Sequence, residues 1–435
     1  MRIPFFLLLS FALTPAMALA QNQSPDQFEV TIPETKANDP LAPFPWLQLS
    51  GEVRERATFI SDIEFDPDNE FNGWFWTQRL SLTGDIEVTP WLRGRVTVQS
   101  ALQDGGDISP VERNVFDLQE GWIEIGDEDA FLRLGRQEFQ LGSARLLSAR
   151  NGTNVKRTWD GGRGFVRLND WTIDAFGLVE VEVEQTGVFN DFGDYDNTLA
   201  GTYVTGPALL GKVDLYYLYS AFDDRTTIEN TANQQRHSVG VRSFGEYGPV
   251  FWNWEAIYQF GQQGDIDISA WTVAANTGYR FSELPWSPEV LLSTNVSSGD
   301  DEQGGGTLGT FDALFPRGSY FSELALLGPS NFYNIHPYLK AHPRDDILIW
   351  VDVNFYWRFD PDDAIYGPPG NIIRAPGGSD ERFVNTSFSA GIEWEATENI
   401  FLSLLYTHSA PGAFIEATGP DASINFLEFT LSYSF

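Results

Sequence analysis

The sequence predicts an all-β fold: a closed antiparallel transmembrane β-barrel of about eighteen strands, with short turns at one end and long loops at the other. Three observations point there. In the segment Asn425-Phe-Leu-Glu-Phe-Thr-Leu-Ser-Tyr-Ser-Phe435, Leu427, Phe429, Leu431, Tyr433 and Phe435 share one face. Glu428, Thr430, Ser432 and Ser434 share the other. A period of two is a strand with one apolar and one wet side. Comparable segments recur from Trp46 onward at intervals of about twenty residues. No stretch approaches twenty uninterrupted apolar residues, so the chain can cross a bilayer only with strands.

Taken in order, Arg2, the apolar run Ile3 to Ala12 and the small-residue site Ala18-Leu19-Ala20 form a Sec signal peptide. Residues 1–20 are therefore expected to be removed before Gln21. Residues 21–45, rich in Pro, Gln, Asn and Asp, read as a flexible periplasmic lead-in, and 46–435 as the barrel. Strands are expected near 46–59, 74–89, 92–102, 115–125, 130–137, 163–169, 171–183, 198–205 and 211–221. The series continues at 236–243, 250–260, 266–281, 289–297, 332–341, 346–358, 383–394, 400–408 and 423–435.

The connections separate a barrel from a soluble sandwich, which shares the alternation. After even strands they are short, as in Thr89-Pro-Trp91, Gly126-Asp-Glu-Asp129, Asn169-Asp170, His342-Pro-Arg-Asp345 and Ala396-Thr-Glu-Asn399. After odd strands they tend to be long and polar, notably 60–73, 138–162, 298–331, 359–382 and 409–422. That asymmetry belongs to outer-membrane barrels. The last strand, ending in an aromatic residue, resembles the signal read in that class by the barrel-insertion machinery.

Alternation also assigns faces. In 171–183, Ile173, Ala175, Gly177, Val179, Val181 and Val183 are expected toward lipid, and Asp174, Glu180 and Glu182 toward the lumen. In 346–358, Ile347, Ile349, Val351, Val353, Phe355 and Trp357 face out, and Asp352, Asn354 and Arg358 face in. Trp46, Trp91, Trp171, Tyr433 and Phe435 fall near one rim, and Trp74 and Trp357 near the other, as aromatic girdles. Two places resist. Segment 115–125 fits neither facing, and Glu55 falls on the lipid face, at a bulge or an interfacial position.

The formal charge is −34, with acids gathered in expected loops such as 62–70, 300–302 and 360–363. So acidic a surface repels phosphate, which excludes a non-specific nucleic-acid partner. Cysteine is absent, so disulfides and thiolate metal sites are excluded. Asp66-Pro-Asp-Asn-Glu-Phe-Asn-Gly73 spaces carboxylates as a Ca²⁺ loop does, but Phe71 stands where such a loop needs Gly. No cofactor is expected; loosely held Ca²⁺ at acidic loops is the one ion the composition leaves open, without a dedicated site. The four histidines, His237, His336, His342 and His408, lack metal spacing, and no Gly-x-Ser-x-Gly elbow occurs, so no catalytic residues and no enzyme are expected.

Lysine is confined to Lys36, Lys156, Lys212 and Lys340, and many arginines lie within strands. A charge pointed at lipid costs about 2–4 kcal/mol at the midplane, so these belong in the lumen. They either pair with luminal acids as a structural lattice or remain free as a ring that draws anions.

Gly135-Arg-Gln-Glu138, Arg145-Leu-Leu147 and Asn154-Val-Lys-Arg-Thr-Trp-Asp-Gly-Gly162 resemble the alginate export family. So do Ser298-Gly-Asp-Asp301, Gly309-Thr-Phe-Asp-Ala-Leu-Phe-Pro-Arg-Gly-Ser-Tyr-Phe321 with Asn331, Gly391-Ile-Glu393 and Ala410-Pro-Gly-Ala-Phe414. The matches run in order along nearly all of 46–435, and 309–321 is the most specific. The resemblance implies an eighteen-stranded outer-membrane barrel passing an anionic polysaccharide or oligosaccharide through an arginine-rich constriction. By position, Arg54, Arg56, Arg79, Arg95 and Arg133 correspond to that family's luminal basic residues. Arg136, Arg145, Arg150, Lys156, Arg157 and Arg163 lie in or beside the third long connection, which is expected either to enter the pore or to contact lipopolysaccharide. Arg280, Lys340 and Arg358 complete the pore-lining set, with Glu52, Asp85, Asp174, Glu180, Asp352 and Glu393 as luminal carboxylates. The alternative function is a porin taking up small sugar acids. Other expected partners are outer-membrane lipid and a periplasmic scaffold.

Overall fold

The structure is a computed structural model that describes residues 41–106, 111–319, 321–322 and 324–435. The expected signal peptide and nearly all of the lead-in therefore lie outside the described residues.

Eighteen strands form the wall. They are β1 (Leu47–Ser61), β2 (Gly73–Thr89), β3 (Leu92–Asp104), β4 (Asn114–Gly126), β5 (Ala130–Gln137) and β6 (Trp159–Leu168). Next come β7 (Trp171–Glu182), β8 (Phe192–Pro207), β9 (Lys212–Thr226), β10 (Thr231–Tyr247), β11 (Val250–Gln263) and β12 (Ile266–Arg280). The ring finishes with β13 (Glu289–Ser297), β14 (Phe332–Arg344), β15 (Ile347–Arg358), β16 (Phe383–Thr397), β17 (Ile400–Pro411) and β18 (Ile424–Ser434). Each pairs antiparallel with its sequence neighbours, and β18 pairs with β1 from Glu52↔Ser434 to Ser61↔Asn425. Closure leaves no open edge, so the wall's backbone groups are satisfied without water. No helix among the described residues is long and apolar enough to cross a membrane.

Every expected strand is present. Alternation holds across most of the wall: outward Leu82, Val96, Ile123, Leu132, Val239, Val351 and Leu404 are 40–53% exposed. The facing of β15 is as expected, with Asp352, Asn354 and Arg358 enclosed. β7 differs. Asp174 and Glu180 do point inward, but Phe176 and Leu178 share their face, and Val181 is 6% exposed rather than open to lipid.

The two irregular places have separate causes. β4 carries two register shifts against β3, at Thr97/Val98 and Gln99/Ala101, so one alternation cannot run through it. Glu55 is not at a bulge, because the β1–β2 register is unbroken from Leu47↔Ile86 to Ile60↔Gly73. Its carboxylate stays on the outer face and accepts hydrogen bonds from Trp76 Nε1 (2.8 Å) and Gln78 Nε2 (2.6 Å).

Candidate functional site

The lumen is crossed by two segments that fold inward from the long-loop end. The first, residues 138–158, leaves β5 and reaches the β9–β11 wall, where Ser143 Oγ (2.6 Å) and Arg145 Nη1 (2.8 Å) donate to Glu255 Oε2. The other carboxylate oxygen of Glu255 accepts from the Tyr216 hydroxyl at 2.6 Å. The segment then runs back to the β1–β3 wall. There Arg54 Nη2 donates to the Thr153 carbonyl (2.8 Å), Arg56 Nη2 to Gly152 (2.7 Å) and Arg79 Nη1 to Thr153 (3.2 Å). Asn154 completes the anchor, its amide donating to the carbonyls of Gln78, Leu102 and Glu112 at 2.9–3.2 Å. β1 and β11 lie on opposite sides of the ring, so the segment spans the lumen.

The second segment, residues 298–331, lies against the first. Leu147 and Phe315 form a parallel bridge, with Ser148 N donating to Phe315 O and Phe315 N to Leu146 O. Asp312 fixes it to the wall through Arg225 Nη2 (2.9 Å) and through a two-way contact with the Gln259 amide. Beneath both lies an apolar cluster in which Phe139, Leu146 and Leu147 of the first segment and Phe311, Leu314 and Phe315 of the second meet Phe176, Leu199, Tyr216, Leu218 and Phe222 of the wall. Gly142 is obligatory here: its φ is +54°, and a Cβ would stand 2.3 Å from the Tyr203 hydroxyl.

The remaining predicted cations are mostly paired. Arg79 meets Glu52 (3.0 Å), Arg95 meets Asp85 (2.7 Å) and Glu120 (3.4 Å), and Arg133 meets Glu124 (2.7 Å). Arg136 meets Asp160 (2.9 Å), Lys156 meets Glu138 (3.2 Å), Arg157 meets Glu180 (2.8 Å) and Arg163 meets Asp174 (2.6 Å). Across the lumen Arg280 (2.5 Å) and Lys340 (3.0 Å) share Glu289. Asp352 is held by His336 Nε2 at 2.9 Å, and Glu393 accepts from Trp350 Nε1 at 3.3 Å. Arg358 donates to the carbonyls of Pro361, Asp363, Ser379 and Glu381, and lies 3.8 Å over the ring of Phe414. Arg54 is fully enclosed and serves as an anchor. The lattice is thus the dominant pattern, while Arg93, Arg95 and Arg280 keep 35–38% of their side chains open.

The long-loop end is tied by carboxylates. Asp363 Oδ2 accepts from Thr310 Oγ1 (2.6 Å) and Asp300 N (2.9 Å), and Asp300 Oδ2 accepts from Gly309 N (3.1 Å). Burial pushes Asp300 up to about 6, with Glu229 and Asp363 adding repulsion, and burial likewise raises Asp363.

Sequence reasoning missed Arg225, Glu255, Gln259 and Asp312 as fixing points. Glu255 did carry a signal, a lone acid in Phe251-Trp-Asn-Trp-Glu-Ala-Ile257. Asp312 sits in 309–321, the most specific of the blocks that resemble the alginate export family, without a role that spacing could assign.

A closed eighteen-stranded barrel narrowed by inward-folded segments defines an outer-membrane channel of porin type. The chain belongs to the alginate export family, whose model matches residues 45–427. No curated protein matches the sequence significantly. Solved structures agree on the fold. Pseudomonas aeruginosa OccK3 (OpdO) is 10% identical with a TM-score of 0.61, over 89% of this chain and 95% of that one. Acinetobacter baumannii OccAB3 is 11% identical with a TM-score of 0.61, over 89% and 99%. Pseudomonas aeruginosa OccK2 (OpdF), solved in complex with glucuronate, is 10% identical with a TM-score of 0.59, over 89% and 98%. Family and fold are those of a channel rather than an enzyme.

Proposed function

We propose that the protein passes carboxylate-bearing saccharides, alginate-like chains foremost, by passive diffusion along the arginine-bearing wall of β2–β6. The observation that carries this reading is the partial exposure of Arg93 and Arg95 (35% and 37%) on that wall, although each already meets an acid. A planar guanidinium fork can exchange a wall carboxylate for a solute carboxylate and stays charged throughout. Such exchange makes contacts weak and numerous, which is what transport needs. Sec export, removal of residues 1–20, insertion into the outer membrane and contact with lipopolysaccharide belong to the same reading.

A second reading, uptake of single small acids, is favoured by the two segments that cross the lumen. It also fits the structural neighbour solved with glucuronate.

Planar-bilayer reversal potentials and liposome swelling test both. The expected result is anion preference that falls when Arg95→Ala, Arg133→Ala and Arg163→Ala are combined. Glu124 keeps Arg93 as a partner when Arg133 is removed, and the single-channel conductance of the variant reports that it has folded. Swelling with uronates of increasing length decides between the readings, since small-acid uptake stops at the shortest members. A cation-preferring channel closed to glucuronate and oligouronates would overturn the proposal.

A further inference from the structure

A cavity of ≈ 210 Å³ lies between the tip of the first crossing segment, the second segment and the β1–β18 seam. Its wall is largely apolar, built from Ile60, Phe71, Phe75, Leu324 and Phe426. Its polar groups are mostly committed. Arg56 forms an ion pair with Glu428 (3.3 Å) and donates to the Gly152 carbonyl (2.7 Å), and Thr58 Oγ1 donates to Glu428 (3.4 Å). Glu112 accepts from Asn154 N at 3.2 Å.

Arg150 is the exception. It lines the cavity, and its side chain makes no hydrogen bond or close ion pair among the described residues, with Glu180 and Glu112 attracting it and Arg157 repelling it from farther off. Its backbone is nevertheless fixed: φ is +54°, the N–H donates to Ser148 Oγ (3.1 Å), and the carbonyl accepts from Thr153 Oγ1 (3.0 Å). A non-glycine residue held in the left-handed region needs surroundings that over-determine it. Here those surroundings hold a cation with no bonded partner among the described residues beside a largely apolar chamber.

We propose that this cavity binds a small aromatic monocarboxylate, its carboxylate on Arg150 and its ring against Phe71, Phe75 and Leu324. A cation without a bonded partner among the described residues, beside mostly apolar walls, complements one carboxylate on an apolar body. A sugar acid would bring hydroxyls to polar groups that are already bonded, and each unpaired hydroxyl would pay for its lost water. The site is thus distinct in chemistry from the ladder on β2–β6.

Single-channel recording with benzoate added on the long-loop side tests this. Benzoate is expected to produce a saturable block of chloride current in the full-length protein. Arg150→Ala should raise the half-blocking concentration at least about tenfold, Arg150→Lys should restore part of it, and Phe75→Ala should weaken it severalfold, because each removes one element of a small pocket. Unblocked current in each variant reports that the barrel is intact. Equal block of wild type and Arg150→Ala, or block by glucuronate at the same concentration as benzoate, would overturn the site. Uronate permeation without benzoate is read separately, so failure here is distinguishable from failure of the saccharide channel.

Discussion

Two halves of the inner wall behave differently. From β7 to β12 the inward residues include Phe176, Leu178, Leu199, Tyr203, Tyr216, Leu218, Phe222 and Ile257, and the crossing segments are packed onto them. From β1 to β6 the inward residues are chiefly arginines and acids in pairs, several of them still partly open. The apolar half gains by excluding water, so it can hold a segment of chain in a fixed place. The charged half gains little from each exposed pair, so its contacts can be exchanged. The apolar half cements the constriction from one side, while on the other Arg54 and Arg79 fix its tip and Arg93 and Arg95 keep a wet face beside it.

The largest way to break this contrast is Trp159→Ala. Trp159 is fully buried and meets Phe315 edge-on at 4.6 Å, joining the wall to the second segment. Truncating a buried Trp costs about 3–5 kcal/mol. The expected outcome is a matching loss in denaturant stability together with a rise in single-channel conductance as the segments loosen. Stability loss without a conductance change would mean that the cluster supports the wall but does not set the aperture.

Arg54→Ala should come next. Arg54 gives the tip of the first segment bonds to Asn151, Gly152, Thr153 and Asn154, and Arg56 and Arg79 support the same tip. Losing a charged donor set costs about 1.5–3 kcal/mol, part of which the neighbouring arginines can recover. Proteolysis between residues 150 and 155 should therefore accelerate, with anion preference nearly unchanged. Reduced anion preference with an unaltered cleavage rate would return Arg54 to the conduit.

The contrast also explains what the sequence discloses. Strands, parity and the inward placement of arginine are local, since period two and turn length are read within a few residues. The partners of those arginines are not local: Arg54 meets carbonyls 97–99 positions away. No spacing rule separates an arginine that anchors a loop from one that faces water. The inner face of β7 was illegible for another reason. Alternation assumes one wet face, and Phe176 and Leu178 belong to a luminal face kept dry by the chain folded over it. Arg150 could be placed only in the third long connection, because its having no bonded partner among the described residues depends on every neighbour the fold supplies.

The smallest expected effect lies where the packed half meets the long-loop end, and it depends on pH. Asp300 is 1% exposed, and its carboxylate faces Asp363 and Glu229 while accepting from Gly309 N and Glu302 N. Because burial lifts its pKa to about 6, the clasp is penalised when Asp300 is ionised and relieved when it is protonated. Stability from this group is therefore present in acid and lost as pH rises through about 6. Between pH 7.5 and 5, amide protection in residues 298–309, taken relative to the unstructured exchange rate at each pH, should rise by up to roughly tenfold, with Asp363 protonation acting in the same direction. Asp300→Asn removes the charge that titrates, so its protection should vary less with pH than wild type does. Protection that falls in acid would show that ionised Asp300, through its two backbone bonds, is what holds the second segment in place.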